Sequence, residues 1–206
     1  MGVLLTPIIR TKEVTLDQLR GRSFAVDGFI VLHEFLALVR DRRGRPLTDE
    51  KGNFTSHLVG LAFRTTRLVS DYDMRMVFVF DGKPPTLKKQ ELSTRREERR
   101  KAETRYEEAL KRGDLQEAYR KAVMTGKITK QGINDAKRLL DYLGIPWVQA
   151  PGEGEAQAAY IVSRGDVWAS NSKDYDSLLF GAPRLVRFLS INSREWLPSK
   201  NRARRV

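Results

Sequence analysis

Short apolar runs alternate with amphipathic segments along the chain. Ser23–Val26 and Met74–Phe80 are rich in β-branched and aromatic residues, which is typical of buried strands. Between such runs the apolar residues recur at helical spacing, as they do from Ile133 to Leu143. This alternation predicts an α/β fold, a mainly parallel sheet flanked by helices. In chain order we expect strands at 23–26, 74–80, 145–149, 167–169 and 184–191, and helices at 28–40, 55–69, 133–143 and 153–163.

One stretch departs from this alternation, because residues 86–112 are dominated by Lys, Arg and Glu. Several acids precede a base by four positions, as Glu91 precedes Arg95, and this order favours a helix. Such a run is usually a solvated, self-paired helix. However, Lys88 and Arg95 share one face, and the run follows shortly after Asp81. We therefore favour a basic helical insert at 83–131, within a single domain of residues 1–206, that binds phosphate.

Six carboxylates stand where predicted strands give way to helices: Asp27, Asp81, Glu153, Glu155, Asp174 and Asp176. The carboxyl ends of parallel strands form the sheet edge where ligands bind. Carboxylates crowded there repel one another unless they take up protons or hold a cation. Oxygen ligands suit Mg²⁺ or Mn²⁺, and so many acids predict two ions, an arrangement that cleaves phosphodiesters.

Any one of these acids, taken alone, is explained as a helix cap or a surface charge. Asp71-Tyr-Asp73 repeats the tripeptide Asp174-Tyr-Asp176, but it precedes a predicted strand and belongs to the opposite edge. We interpret Asp71 and Asp73 as surface acids. For the six together we favour the metal site.

Composition narrows the function classes. A net charge of +12 and a pI near 10.1 indicate a polyanionic partner; nucleic acid is favoured, with an anionic membrane surface and the ribosome as alternatives. The chain has no cysteine, which excludes disulfides and thiolate metal sites. No apolar run reaches the roughly 20 residues that span a bilayer. We expect a soluble, intracellular protein with no membrane partner.

Several motifs, in this order, resemble those of flap endonucleases, the structure-specific 5′ nucleases of replication and repair, and are closest to the archaeal branch. They are Thr55-Ser-His-Leu, Val79-Phe-Asp-Gly-Lys-Pro-Pro, Ala150-Pro-Gly-Glu-Gly-Glu-Ala and Asp174-Tyr-Asp-Ser-Leu-Leu-Phe. The resemblance implies a PIN-like nuclease core that uses two Mg²⁺ ions, or Mn²⁺ in their place. Such a core cuts branched DNA at the junction of single strand and duplex.

The resemblance also implies residue roles. The six acids named above fall on metal-site positions, and Asp81 and Asp174 join Lys88 and Arg95 in the catalytic set. Lys88 and Arg95 match the basic pair of the helical arch through which the 5′ flap passes. The implied nucleic-acid contacts are Arg40, Thr55, Arg64, Lys88, Arg95 and Glu153.

The sequence departs from the family pattern at its end. It stops at Val206, before the family's last metal-site aspartate, its duplex-binding helix pair and its sliding-clamp motif. A second hypothesis is therefore a catalytically impaired DNA-binding remnant, and a third is a ribonuclease of the PIN-like group. We expect a monomer whose family partner is the sliding clamp, although the clamp motif is absent here.

Overall fold

The computed structural model describes residues 8–42, 45–83, 128–187, 189, 194–197 and 202–205. Its centre is a five-stranded parallel sheet of β1 (Ser23–Asp27), β2 (Arg75–Phe80), β3 (Trp147–Gln149), β4 (Ala169–Asn171) and β5 (Leu185–Val186). The strand order is β3-β2-β1-β4-β5, and every pairing is parallel. The chain therefore builds outward from β1 in both directions, and the strand order reverses between β1 and β4. Ligands of open α/β sheets bind at such a reversal.

The helices begin and end where local chemistry dictates. Asp27 caps the first helix by accepting a hydrogen bond from the Ile30 amide at 3.0 Å, and Thr129 caps the fourth through the Gly132 amide at 3.0 Å. Gly144 follows the fourth helix with a φ of 68°, which glycine adopts without strain. The helices are α1 (Gly28–Leu38), α2 (Ser56–Gly60), α3 (Thr66–Tyr72), α4 (Lys130–Tyr142), α5 (Gly154–Ser163) and α6 (Asp176–Leu179).

Two shorter helical turns complete the described helices. A 3₁₀ turn spans Asp17–Leu19, and a π-helical turn, Leu61–Thr65, joins α2 to α3 without a break. π-Helical turns inside α-helices are frequent at functional sites. Within the described ranges, no helix has the length and apolarity that crossing a membrane requires.

Successive side chains of β1 point to opposite faces of the sheet, and each face has its own core. Phe24 and Val26 belong to a large cluster with residues of α1, α3 and α4, whereas Ala25 packs with Ala158 and Val162 of α5. Aromatic residues fill the first core and small residues the second. The prediction of a parallel sheet flanked by helices on both faces is confirmed.

The predicted boundaries are wrong at the last strands. β4 lies at Ala169–Asn171 rather than 167–169, because hydrogen bonds allow its polar residues to be buried: the Ser170 and Ser177 hydroxyls are 3.0 Å apart, and the Asn171 amide donates to the Val186 carbonyl. β5 has two residues, not eight. Arg194–Leu197 (β6) and Arg202–Arg205 (β7) pair antiparallel, which the sequence pattern did not predict.

Candidate active site

The carboxyl edge of the sheet carries the predicted acids on four separate segments. Asp27 ends β1, Asp81 follows β2, Glu155 lies in the first turn of α5 after β3, and Asp174 and Asp176 follow β4. These segments belong to four adjacent strands, so the topology alone brings the acids to one place. Their charges contribute to the pKa shifts of Asp27 and Glu155, which indicates that the acids lie close together.

Asp27 lies at the centre of this group. Burial raises its pKa from 3.8 to about 7, although hydrogen bonds from the Ile30 and Phe29 amides oppose the shift. The negative charges of Asp81 and Asp174 raise its pKa further. In the absence of a cation, this carboxyl is therefore protonated in a large fraction of the molecules near neutral pH.

Glu155 is coupled to the same acids. Burial raises its pKa from 4.5 to about 8, and the charges of Asp27, Asp176, Asp174 and Asp81 add to the shift. Five of the six predicted acids thus form one electrostatic unit, which we call the acid cluster: Asp27, Asp81, Glu155, Asp174 and Asp176.

Glu153, the sixth predicted acid, has a different position. It precedes α5 as its N-cap residue, is half-buried, and makes no side-chain capping bond to the helix. Its charge is not among the largest causes of the pKa shifts of Asp27 and Glu155. The structure thus places it beside the acid cluster, on the segment that carries Glu155.

Asp81 is held by the backbone of the α5 segment. Its Oδ1 accepts a hydrogen bond of 2.6 Å from the Gly154 amide, and a Cβ at position 154 would lie 2.8 Å from that oxygen. Gly82 approaches so closely that a Cβ there would lie 2.0 Å from the Ala150 carbonyl oxygen. Glycine is therefore required at both positions if the carboxylate is to keep this place.

Asp174 and Asp176 lie on a loop held by polar and aromatic contacts. The Asp174 amide donates to Ser172 Oγ at 3.2 Å. Tyr175, between the two acids, is buried and lies 4.2 Å beneath the Arg187 guanidinium. Asp176 Oδ1 is buried and accepts no hydrogen bond within the part of the chain that the structure describes.

A divalent cation fits the chemistry of this cluster. As the side chains stand, no three His, Cys, Asp or Glu residues among those described enclose an ion. However, two carboxyls have raised pKa values, and one buried carboxylate oxygen accepts no hydrogen bond from the described residues, so the described protein groups do not neutralise this cluster when it is ionised. Hard oxygen donors in excess suit Mg²⁺ or Mn²⁺, which bind through a few carboxylates and retain water.

Three residues predicted to contact DNA, Arg40, Thr55 and Arg64, lie on or next to α1, α2 and the π-helical turn. Arg64 belongs to the π-helical turn, and its guanidinium lies 5.6 Å from the Phe35 ring centroid, beside a small cavity that Glu34 also lines. Arg40 is exposed, and its Nε donates to the Ala37 carbonyl at 3.3 Å. Thr55 precedes α2, and its amide donates to the Leu47 carbonyl. Lys88 and Arg95 lie outside the described residues, as does most of the predicted insert.

Sequence reasoning missed the residues that support the acids. Gln149, Gly154, Tyr175 and Arg187 hold the segments on which Asp81 and Asp174 lie. One sequence signal was available for Gln149: it is a polar residue that ends a strand shortly before the turn that carries Glu153 and Glu155. Its partners come from distant parts of the chain and could not be identified from local patterns.

Comparison with known protein families agrees with this geometry. The XPG N-terminal domain model matches residues 1–102, and the XPG I-region model matches residues 144–204. Together with the parallel sheet and its acid-bearing edge, these matches define a domain of the XPG type with a PIN-like fold.

Similar proteins narrow the class further. The chain is 51% identical over 197 residues to flap endonuclease 1 of Ignicoccus hospitalis, covering 96% of this chain and 56% of that protein. The flap endonuclease-1 structure from Methanococcus jannaschii superimposes with a TM-score of 0.67 at 42% identity, covering 90% of this chain and 59% of that one. The catalytic core of Rad2 in complex with DNA substrate gives a TM-score of 0.60 at 29% identity, over 86% of this chain and 47% of that one. The chain belongs to the flap endonuclease family, and it spans little more than half the length of these flap endonucleases.

Proposed function

We propose that this chain is the core of a divalent-metal-dependent, structure-specific 5′ flap endonuclease with 5′–3′ exonuclease activity, acting on branched DNA in replication and repair. The observation that carries the proposal is the convergence of five coupled carboxylates at the point where the strand order reverses. Family membership supports the same activity. In this proposal residues 1–206 form one nuclease domain with a basic helical insert at 83–131.

The acids would hold the metal. Asp27, Asp81, Glu155, Asp174 and Asp176, with Glu153 beside them, offer more carboxylates than one ion needs, which supports a site for two Mg²⁺ ions or for Mn²⁺ in their place. Such ions lower the pKa of water and neutralise charge on the scissile phosphate. The raised pKa values of Asp27 and Glu155 mean that cation binding at neutral pH would displace protons from these side chains.

The remaining predicted residues would bind the substrate. Lys88 and Arg95 would neutralise the scissile phosphate from the basic insert, and Arg40 and Arg64 would contact the DNA backbone. Thr55 would lie near the 3′ end of the upstream strand. We propose a monomer that acts inside the cell on DNA with a 5′ flap or a branched junction, and a sliding clamp as the partner of the family.

Cleavage of a labelled double-flap DNA, with Mg²⁺ or with chelator, tests the proposal. We expect metal-dependent cutting near the junction, lost in Asp174→Ala although DNA binding remains. Asp71→Ala is a matched control, because Asp71 occupies the same tripeptide at the other edge of the sheet and pairs with Arg67 at 3.0 Å. Normal cutting by Asp174→Ala would show that the site is wrongly assigned.

The alternatives predict different outcomes in the same assay. A DNA-binding remnant would bind the flap in a salt-dependent manner and cut nothing under any metal condition. A ribonuclease would prefer an RNA flap to a DNA flap of the same sequence.

A further inference from the structure

Lys137 occupies an unusual position for a lysine of an amphipathic helix. It belongs to α4, yet its Nζ lies 4.4 Å from the ring centroid of Trp147 and 5.0 Å from that of Phe80. The ammonium also donates a hydrogen bond of 2.6 Å to Gln149 Oε1. Two aromatic rings and an amide oxygen thus hold the charge against the sheet, where cation–π attraction favours it.

Gln149 relays this contact to Asp81. Its Nε2 donates to the Phe80 carbonyl at 3.2 Å and to the Asp81 carbonyl at 2.5 Å. The orientation of the amide follows from chemistry: an ammonium only donates, so the oxygen must face Lys137, and carbonyls only accept, so the nitrogen must face the main chain. The Gln149 Oε1 therefore accepts from Lys137, and Nε2 donates to the Phe80 and Asp81 carbonyls.

The main chain around Asp81 is consequently held from three directions. Gln149 binds its carbonyl, the next amide, that of Gly82, donates to the Gly152 carbonyl at 2.6 Å, and the carboxylate accepts from the Gly154 amide at 2.6 Å. Of these three anchors only Gln149 acts through a side chain. It is also the only one of the three that reaches α4.

We propose that Lys137 and Gln149 are positioning residues for Asp81: Lys137 fixes the Gln149 amide, which fixes the Asp81 main chain and with it the direction of the carboxylate. Neither residue belongs to the acid cluster. The inference rests on the proposed function insofar as Asp81 serves as a cation ligand, and supporting residues of this kind typically change metal affinity about 10- to 100-fold.

The first test measures Mn²⁺ affinity by electron paramagnetic resonance, without DNA or turnover. We expect Gln149→Leu and Lys137→Met to weaken binding about tenfold. Lys137→Arg keeps a donor and a cation that stacks on the rings, and should bind as the wild type does. Gln131→Leu is the matched control, because Gln131 lies on α4 and donates to Asp135, which is not part of the acid cluster. Wild-type affinity in Gln149→Leu would overturn the proposal.

The second test does not depend on metal. Amide hydrogen exchange should show faster exchange at Gly82 and Gly154 in Gln149→Leu, while Phe78, whose amide donates to the Pro146 carbonyl, stays protected. Unchanged exchange at Gly82 and Gly154, or loss of protection throughout β2, would overturn a positioning role. If the wild type bound no Mn²⁺, the proposed metal site would fail, and hydrogen exchange would still decide the role of Gln149.

Discussion

The two sides of the acid cluster are built in different ways. On the β2–β3 side, Asp81 is held by neutral groups: the Gly154 amide binds its carboxylate and the Gln149 side chain binds its carbonyl. On the β4–β5 side, the loop that carries Asp174 and Asp176 is held by Arg187, whose Nε donates to the Lys173 carbonyl at 2.8 Å and whose guanidinium stacks on Tyr175. The direct contacts on the first side come from the main chain and a neutral amide, whereas those on the second come from a charged and an aromatic side chain.

This difference decides how each side responds to perturbation. The Asp81 carboxylate already has a hydrogen-bond donor within the protein, whereas a buried oxygen of Asp176 has none among the described residues. On the β2–β3 side the close approach of main-chain segments should therefore determine stability, because a Cβ at Gly82 would overlap the Ala150 carbonyl oxygen. On the β4–β5 side charge should determine stability, because burying a carboxylate oxygen that has no hydrogen-bond donor costs free energy until its charge is neutralised.

The largest effect should come from Gly82→Ala. The new Cβ would lie 2.0 Å from the Ala150 carbonyl oxygen and 2.8 Å from Pro151 backbone atoms, so two segments of main chain would have to separate. We expect a loss of about 3 kcal/mol or more in the free energy of unfolding, measured by urea denaturation.

Gly152→Ala provides the matched control. The nearest atom to its Cβ would be the Lys83 carbonyl oxygen at 4.0 Å, so this substitution adds the same methyl group without a clash. Equal destabilisation by the two variants would contradict the view that close backbone approach holds this side.

The pH dependence of stability should come next, since charges from both sides raise the pKa values of Asp27 and Glu155. Their pKa values rise on folding, from 3.8 to about 7 and from 4.5 to about 8, so the folded chain binds more protons than the unfolded one. Their contribution to stability is complete below about pH 4 and is lost as the pH rises through about 7 and 8. In chelator, the melting temperature should therefore fall across this window.

Substitutions separate this effect from a general response to pH. The side chains introduced by Asp27→Asn and Glu155→Gln carry no charge at any pH, so each substitution should reduce the dependence of the melting temperature on pH. Asp166→Asn, which changes an exposed acid, should leave that dependence unchanged. Added Mg²⁺ should restore stability at about pH 8, because it replaces the displaced protons. A profile unchanged in both neutral variants would show that the acids are not coupled.

The fold and the acid positions were predictable because both depend on local patterns. Hydrophobic periodicity predicted β1 and β2. The rule that the carboxyl ends of parallel strands meet at one edge predicted that Asp27, Asp81 and Asp174 lie close together. β4 was misplaced because Ser170 and Asn171 read as loop residues, and only their partners in other elements make them suitable for burial.

The supporting contacts were not predictable for a related reason. Gln149 closes a three-residue strand and is exposed, as a polar residue at that place indicates, but exposure does not reveal its contacts. Its partners, Lys137 and Asp81, lie on α4 and directly after β2. Pairing across such distances depends on the tertiary arrangement and leaves no periodic signal in the sequence.

A smaller effect should follow from Gly154→Ala, which should displace the Asp81 carboxylate. Its Cβ would lie 2.8 Å from Asp81 Oδ1, and a carboxylate can move where a backbone cannot. The helix should tolerate alanine, so stability should change little while Mn²⁺ affinity falls about tenfold. If Asp81→Asn weakens binding equally with Gly at 154 and with Ala at 154, the two positions act independently, and Asp81 is not held in this way.

The smallest effect should come from Tyr175→Phe on the other side of the cluster. This change removes only the hydroxyl that accepts a 2.5 Å hydrogen bond from Arg187 Nη1, and keeps the ring under the guanidinium. A loss of about 1 kcal/mol in the free energy of unfolding is expected. Tyr175→Ala, which also removes the stacked ring, should cost several times more, because Tyr175 is buried. If Tyr175→Phe were as damaging as Tyr175→Ala, the hydroxyl bond rather than the stacked ring would hold this loop, and the two sides would both depend on directed hydrogen bonds.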